Sequence, residues 1–421
     1  MSSYLKVMRS FSPGVKYYTL ALGAIGFAYF GMASVLVNLY LLRLGFTMET
    51  IGQVNGAGML AWAVFALPAS ALGRRLGLRK VVVAGNLVIA LGYVLLLQTD
   101  LLSQAIKIPW LFAATILIWI GAAAITVNGA PLLSSASRPD ERRHAFAVSN
   151  AVSAVLTILG SLAAGLLPSW ISGLGGTTPE TAGAYGVSLW LVPVFFILAA
   201  FFYRRITPVE QEANQEQHGA ASRVPMFLFV FIGVVVFFMT ASEGGVRAFF
   251  NMYLDSDLAM TTSQIGVLFA VAGILPIFGS LVMPLLAARF GPMITLSITT
   301  LFMGVSLAFI GRFPLPLAAA SGFILFNFLS ALGGITRIVL SQEIVAPRWR
   351  GATSAIVIIG LALGWGSMAL VGSAIIEKVG FSGLMYLSAG SALVSTALVW
   401  AYLLAKRTRP VPLPVAPGEG D

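Results

Sequence analysis

The sequence predicts an all-α membrane protein with twelve transmembrane helices in two six-helix bundles. Three observations carry this reading. Of the 421 residues, 58% are hydrophobic and 10% are charged, with mean hydropathy +0.93. That is more apolar surface than a fold in water can hide. Apolar runs of eighteen or more residues recur along the whole chain, and each could cross a bilayer as a helix. Finally, the second half repeats features of the first at a nearly constant offset, as duplicated membrane bundles do.

In order, the spans are expected near 17–42, 51–73, 79–98, 109–135, 145–168, 186–204, 224–254, 262–288, 292–311, 314–343, 351–376 and 382–405. The first follows a basic stretch, MSSYLKVMRSFSPGVK. It is too long for a signal-peptide core and lacks a clear cleavage site, so it reads as a span that also targets. Several spans exceed the roughly 20 residues a bilayer needs, which predicts tilt or extension beyond it. Forty-four glycines fit closely packed helices.

Lys and Arg set the orientation. With both termini inside, the inner segments hold nineteen of these residues, and the outer loops hold only Arg43, Lys107, Arg312 and Lys378. This bias predicts an integral protein of the plasma (cell inner) membrane with cytoplasmic termini. The other two basic residues, Arg247 and Arg337, fall inside spans.

The polar stretch RRITPVEQEANQEQHGAASRVP separates six spans from six. The expected organisation is a bundle at 1–203, a cytoplasmic linker at 204–223, a bundle at 224–405 and a Pro-rich, disordered tail at 406–421. VNLYL (37–41) matches FNMYL (250–254), pairing Asn38 with Asn251 and Tyr40 with Tyr253, and Gly31 matches Gly244 at the same offset of 213. At an offset of 214, Ile51-Gly52 matches Ile265-Gly266 and RLG (75–77) matches RFG (289–291).

The 6+6 repeat, the central linker and the loop SALGRRLGLRK (70–80) together resemble the major facilitator superfamily. Arg75, Gly77, Arg79 and Lys80 match the family's loop pattern. Ser70 stands where Gly is usual, and Arg74 where Asp is usual. The resemblance implies a central cavity lined by spans 1, 4, 7 and 10, and a latch in which the usual Asp meets the positive N-terminus of span 11. Arg74 cannot fill that part, because a cation near a helix N-terminus is unfavourable. Arg74 or Arg75 is expected instead to meet Glu343 at the inner end of span 10; the alternative is that these charges serve topology alone.

Span 7 holds the main candidate site. Thr240, Glu243, Arg247, Asn251 and Leu254 follow a 3-4-4-3 spacing, which places them on one helix face about 80° wide. A charge at bilayer depth costs about 2.5–3.5 kcal/mol on insertion scales, so it faces a cavity or a partner. Glu243 and Arg247 can pair at i,i+4 with the acid in the better, N-terminal position. Glu243 lies about 27 Å of helix rise from Pro225, an outer position suited to a gate. Span 10 carries a second stripe, Asn327, Ser330, Gly334, Arg337 and Ser341; span 1 offers Ser34 and Asn38 at the places of Arg247 and Asn251.

Two roles are open for these residues. Arg247 and Arg337 bind an anionic or polar group while Glu243 exchanges a proton as the cavity changes sides. Otherwise Glu243 and Arg247 are a fixed pair that orients span 7. Asn38 and Asn251 read more readily as packing anchors than as ligands. GSLAAG (160–165) lacks the Pro of the antiporter run that the resemblance implies for span 5; Gly160 and Gly165 fit close packing. Gly360, Gly364 and Gly366 around Trp365 read first as a packing face and second as an aromatic cavity wall.

The chain has no cysteine and two histidines in polar connections, so no metal set is expected. It has no GxxxxGK(S/T) loop and no nucleophile–base arrangement, so neither cofactor nor enzyme is expected. The net charge of +10 reads as basic loops beside lipid and not as nucleic-acid binding. The expected function is a secondary transporter moving a small solute by alternating access, with protons as a candidate coupling ion. The partners are then membrane lipids and the solute, with no obligate protein partner. Drug-type efflux of amphipaths is the rival within transport, and a transporter-like sensor or assembly factor the rival outside it.

Overall fold

The computed structural model describes residues 11–175, 181–207, 226–345 and 349–408. Each of the twelve expected spans is helical. They are α1 Pro13–Arg43, α2 Met48–Leu76, α3 Leu78–Leu97, α4 Gln104–Ala136, α5 Arg142–Gly175 and α6 Ala182–Arg204, followed by α7 Met226–Ser256. Next come α8 (Thr262–Ala272 and Leu275–Phe290), α9 Pro292–Arg312 and α10 Pro316–Glu343. The run Arg350–Thr408 is broken at Gly380, φ 80°, into α11 (350–379) and α12 (381–408). Most of the expected linker and the end of the tail lie outside the described residues.

Many of the helices run a turn or so past the apolar windows, because polar flanks cap them. The Thr47 hydroxyl accepts from Thr50 N–H at the start of α2, and Thr261 with Gln264 forms a capping box on α8. The tight connections need glycine: Gly77 (φ 94°) and Gly291 (φ 79°) occupy the left-handed region that a side chain resists. They are the two copies of the RLG/RFG repeat. α8 bends at Gly273-Ile274, just before Pro276, whose ring cannot continue an uninterrupted ladder. α1 carries a π-helical stretch at Gly26–Ala33, a local widening common at functional sites.

Within each half the helices pack in corresponding ways. α1 packs on α5 and α6, and α7 on the α11–α12 run. Gly31 lets α1 meet Gly160 of α5, where an added Cβ would lie 2.6 Å from the Gly160 Cα. Its repeat partner Gly244 lets α7 meet Trp365 of α11, at 3.0 Å from the Trp365 Cα. Gly160 and Gly165 do pack closely, but on two different helices: Gly160 on α1 and Gly165 on Gly266 of α8. Gly360 and Gly364 pack on α7, and Gly366 on α2.

Several buried hydroxyls are satisfied within their own helix. Thr19 donates to Val15 O, Thr299 to Thr295 O and Thr336 to Leu332 O, a back-bond that leaves the helix intact in an apolar setting. The surface is strongly apolar: Val64, Leu67, Phe227, Leu285 and Leu317 are each more than 60% exposed. Such a surface needs lipid, not water, around it.

Candidate functional site

A cavity of about 380 Å³ lies between the halves. Residues from α1, α2, α3, α4, α5, α7, α8, α10 and α11 line it. Its walls are largely aromatic, including Tyr29 and Phe30 from the π-helical turn, Trp119 and Trp365. Tyr29 and Trp119 meet edge to face at 6.2 Å, and Trp62 lies nearly parallel to Trp365 at 6.4 Å, across the two halves. Among the polar lining residues are one charge, Arg247, the amides of Asn38, Asn55 and Asn327, and the hydroxyl-bearing Ser34, Thr115, Thr157 and Ser161. Ser34 is exposed and bonds back to Phe30 O.

The charges stand where α7 faces α10. Arg247 Nε donates to Glu243 Oε2 at 3.3 Å, and Arg247 Nη2 reaches Ser330 Oγ at 3.5 Å. Glu243 is 3% exposed and Arg247 46%. The acid is thus sealed between helices, while the base turns its guanidinium to the cavity. That guanidinium also lies over the Trp365 ring, 4.7 Å from its centroid, a favourable cation–π placement. Arg337 stands close enough for both charges to act on it, and its Nε and Nη1 are shielded without a hydrogen-bond partner. On α7, Met226–Ser256, the pair stands past the middle of the helix, toward the Ser256 end.

The contacts between the halves found among the described residues cluster on the side of this cavity away from the chain ends. Asn38 Nδ2 donates to Ala248 O at 2.7 Å, and Asn251 Nδ2 donates to Val35 O at 2.9 Å. The offset of 213 maps each bond onto the other. Asn38 and Asn251 therefore clamp the opposite half's backbone, and Asn38 also accepts from Asn55 Nδ2 at 3.3 Å. Beyond them Arg43 and Asp255 form a two-pronged ion pair, both oxygens at 2.6 Å. Gly165 meets Gly266, Ser263 Oγ donates to Gly165 O at 2.9 Å, and Tyr185 hydrogen-bonds Thr262. Gly52 packs on Ala369 and Ser373 of α11, the counterpart of Gly266 on α5.

The loop between α2 and α3 shows how its departures fit. Arg74 Nη1 donates to Ser70 Oγ at 2.9 Å, so the two positions that differ from the family pattern bond to each other. Arg79 Nη1 donates to Ile206 O at 2.9 Å and ties the loop to the end of α6. Arg75 and Lys80 are exposed. Glu343 closes α10, but its side chain, and with it the expected latch, lies outside the described residues.

Of the residues singled out from sequence, Arg247, Asn38 and Ser34 stand at the cavity wall, while Glu243, Arg337 and Asn251 lie behind it; sequence reasoning missed the Arg43–Asp255 pair, which reads locally as two loop charges. It also missed Tyr29 and Trp119, whose signal is only their place in an apolar run.

Two six-helix bundles that enclose a charged cavity, with contacts gathered on one side of it, define a membrane transport protein. The model of the major facilitator superfamily matches residues 19–242 and 232–420, and the chain belongs to that superfamily. It is a secondary transporter and not an enzyme. Among solved structures, a point mutant of the nucleoside transporter NupG superposes with TM-score 0.73 at 14% identity, covering 92% of this chain and 99% of that one. The D-xylose–proton symporter gives TM-score 0.73 at 14% identity, covering 94% and 97%. A bacterial homologue of the human lysosomal transporter Spinster, inward-facing and occupied, gives 0.68 at 16% identity, covering 95% and 98%. At these identities the likeness is one of fold. A comparison with curated protein sequences finds no match.

Proposed function

We propose that this protein carries a small polar or anionic solute across a cell membrane by alternating access, with Arg247 as the solute's anchor and Glu243 as its counter-charge. The observation that carries this reading is the half-exposed Arg247 at the cavity wall, held by a buried Glu243. A solute anion competes with Glu243 for the guanidinium. The carboxylate released from its partner is the group then placed to exchange a proton, which gives proton coupling a route. The positive-inside bias supports cytoplasmic termini. The state described is then closed to the outside by the Asn clamps and the Arg43–Asp255 pair. Transport requires that seal to part while the cytoplasmic ends meet, with Arg74, Arg75 and Glu343 as the proposed closing set.

A ligand-stabilisation screen on purified protein, followed by liposome transport of each hit with and without a pH gradient, tests this. Hits should stabilise the wild type and lose at least about tenfold in affinity in R247A. E243Q should still bind but no longer respond to the gradient. A hit that stabilises wild type, E243Q and R247A alike removes the site, and transport indifferent to the gradient in both directions removes the coupling. Efflux of amphipaths is the second reading, favoured by the aromatic walls around Trp119 and Trp365.

A further inference from the structure

We infer that the cavity is built for a flat aromatic anion, with its ring among Tyr29, Trp119 and Trp365 and its anionic group on Arg247. The inference rests on the cavity being the solute site. Charge comes first. Apart from Asp255, which Arg43 neutralises, the described ionisable side chains on α7 and α10 are one acid, Glu243, and two bases, Arg247 at the cavity wall and Arg337 nearer the Glu343 end of α10, so this helix pair is one positive charge out of balance. Glu243 engages Arg247 through Nε alone; Nη2 makes only the long approach to Ser330, and Arg337 keeps two shielded donors unpartnered. A cation entering this field is repelled, a neutral solute leaves the imbalance, and an anion removes it.

The ring preference has separate support. Arg247 already rests on the Trp365 face, and Trp62 links Trp365 to Trp119, which in turn meets Tyr29. These four rings come from α1, α2, α4 and α11 and form one contiguous cluster, of which Tyr29, Trp119 and Trp365 face the cavity. Flat π systems gain offset or edge-to-face contacts on such a wall that a saturated ring of equal size does not. Size agrees: an apolar cavity of about 150 Å³ takes one benzene, so about 380 Å³ has room for two fused rings and a carboxylate. The amides add a separate preference, away from the anionic group. Asn55 and Asn327 direct their N–H donors to Asn38 Oδ1 and Phe323 O, which leaves their carbonyl oxygens to receive hydroxyl or ring N–H donors.

Four probes separate the terms on the full chain in detergent, read by tryptophan fluorescence and calorimetry. They are 2-naphthoate, its neutral amide, decahydro-2-naphthoate and 2-naphthylmethylammonium. The expected result is that 2-naphthoate binds at least about tenfold tighter than each of the others. R247Q should erase its advantage over the amide, with R247K used if R247Q does not fold, and W119L its advantage over the saturated acid. Equal binding of the saturated acid, tighter binding of the cation, or no binding of 2-naphthoate overturns the inference. A saturated or uncharged hit that still needs Arg247 overturns this solute class but leaves the transport site standing. Hits indifferent to both R247Q and E243Q overturn the site and this inference together.

Discussion

Glu141 shows how one residue outside the spans joins several elements. It is buried, and its carboxylate accepts from Arg138 N, from Arg138 Nη2 and from Ser12 N at the start of α1. Burial acts to raise its proton affinity, but the hydrogen bonds from Arg138 and Ser12 outweigh it and hold the carboxyl below the usual carboxylate range. Stability from this group is therefore full above about pH 4.3 and is lost as pH falls through the lowered value. E141Q should lower the melting temperature near pH 7, a loss of about 1–3 kcal/mol, and the gap to wild type should narrow in acid. A gap that widens as pH falls would contradict the assignment. Ser70 and Arg74 make a similar point on a smaller scale, since each departs from the family pattern and each is the other's partner.

At the level of elements, helix pairs are set by glycine at points where backbones touch. A Cβ on Gly266 would lie 2.5 Å from Gly165 Cα and 2.6 Å from Ser161 O, and backbone cannot yield as a side-chain tip does. G266A should hold α5 and α8 apart and shift the protein away from the sealed state. The chain lacks cysteine, so a single reporter is clean. Leu41→Cys, 2% exposed at the cavity wall, should label faster with a membrane-impermeant maleimide from the outside in G266A than in the parent. Unchanged labelling would mean that α8 tilts without opening the seal. Asn38 and Asn251 belong to the same seal. N38A and N251A should each raise the labelling rate, and by similar factors, because the repeat relates their bonds; a large effect from one alone would show that the clamp is not shared.

For the whole molecule, the two halves meet on one side of the cavity, and that decides which side the solute sees. The Arg43–Asp255 pair is 18% and 10% exposed with two bonds of 2.6 Å, a geometry worth more than a typical surface pair. R43D should open the seal through repulsion, and R43D/D255R should restore much of the parent's labelling pattern. Failure of the swap to rescue would assign the single-mutant effect to something other than the pair. The fold itself was legible because membrane helices must satisfy their own backbone, so long apolar runs could be little else. Their ends were less legible: α2, expected over 51–73, runs Met48–Leu76 from the Thr47 cap to Gly77, since a helix stops where caps and glycines say and not where hydropathy falls.

The sequence by itself determined the twelve helices and the charged stripe on α7, because both are written in local composition and periodicity, and it showed the duplication through matches at an offset near 213. It also placed Asn38 beside Asn251 in the repeat, without saying what they touch. Only the tertiary structure decided that these amides clamp opposite halves and that Arg43 meets Asp255 more than two hundred residues away. It likewise decided that Glu243 is buried while Arg247 reaches the cavity over Trp365. The reason is physical: a helix's sequence fixes which face a side chain shares, whereas its partner and its solvent depend on how two bundles tilt together.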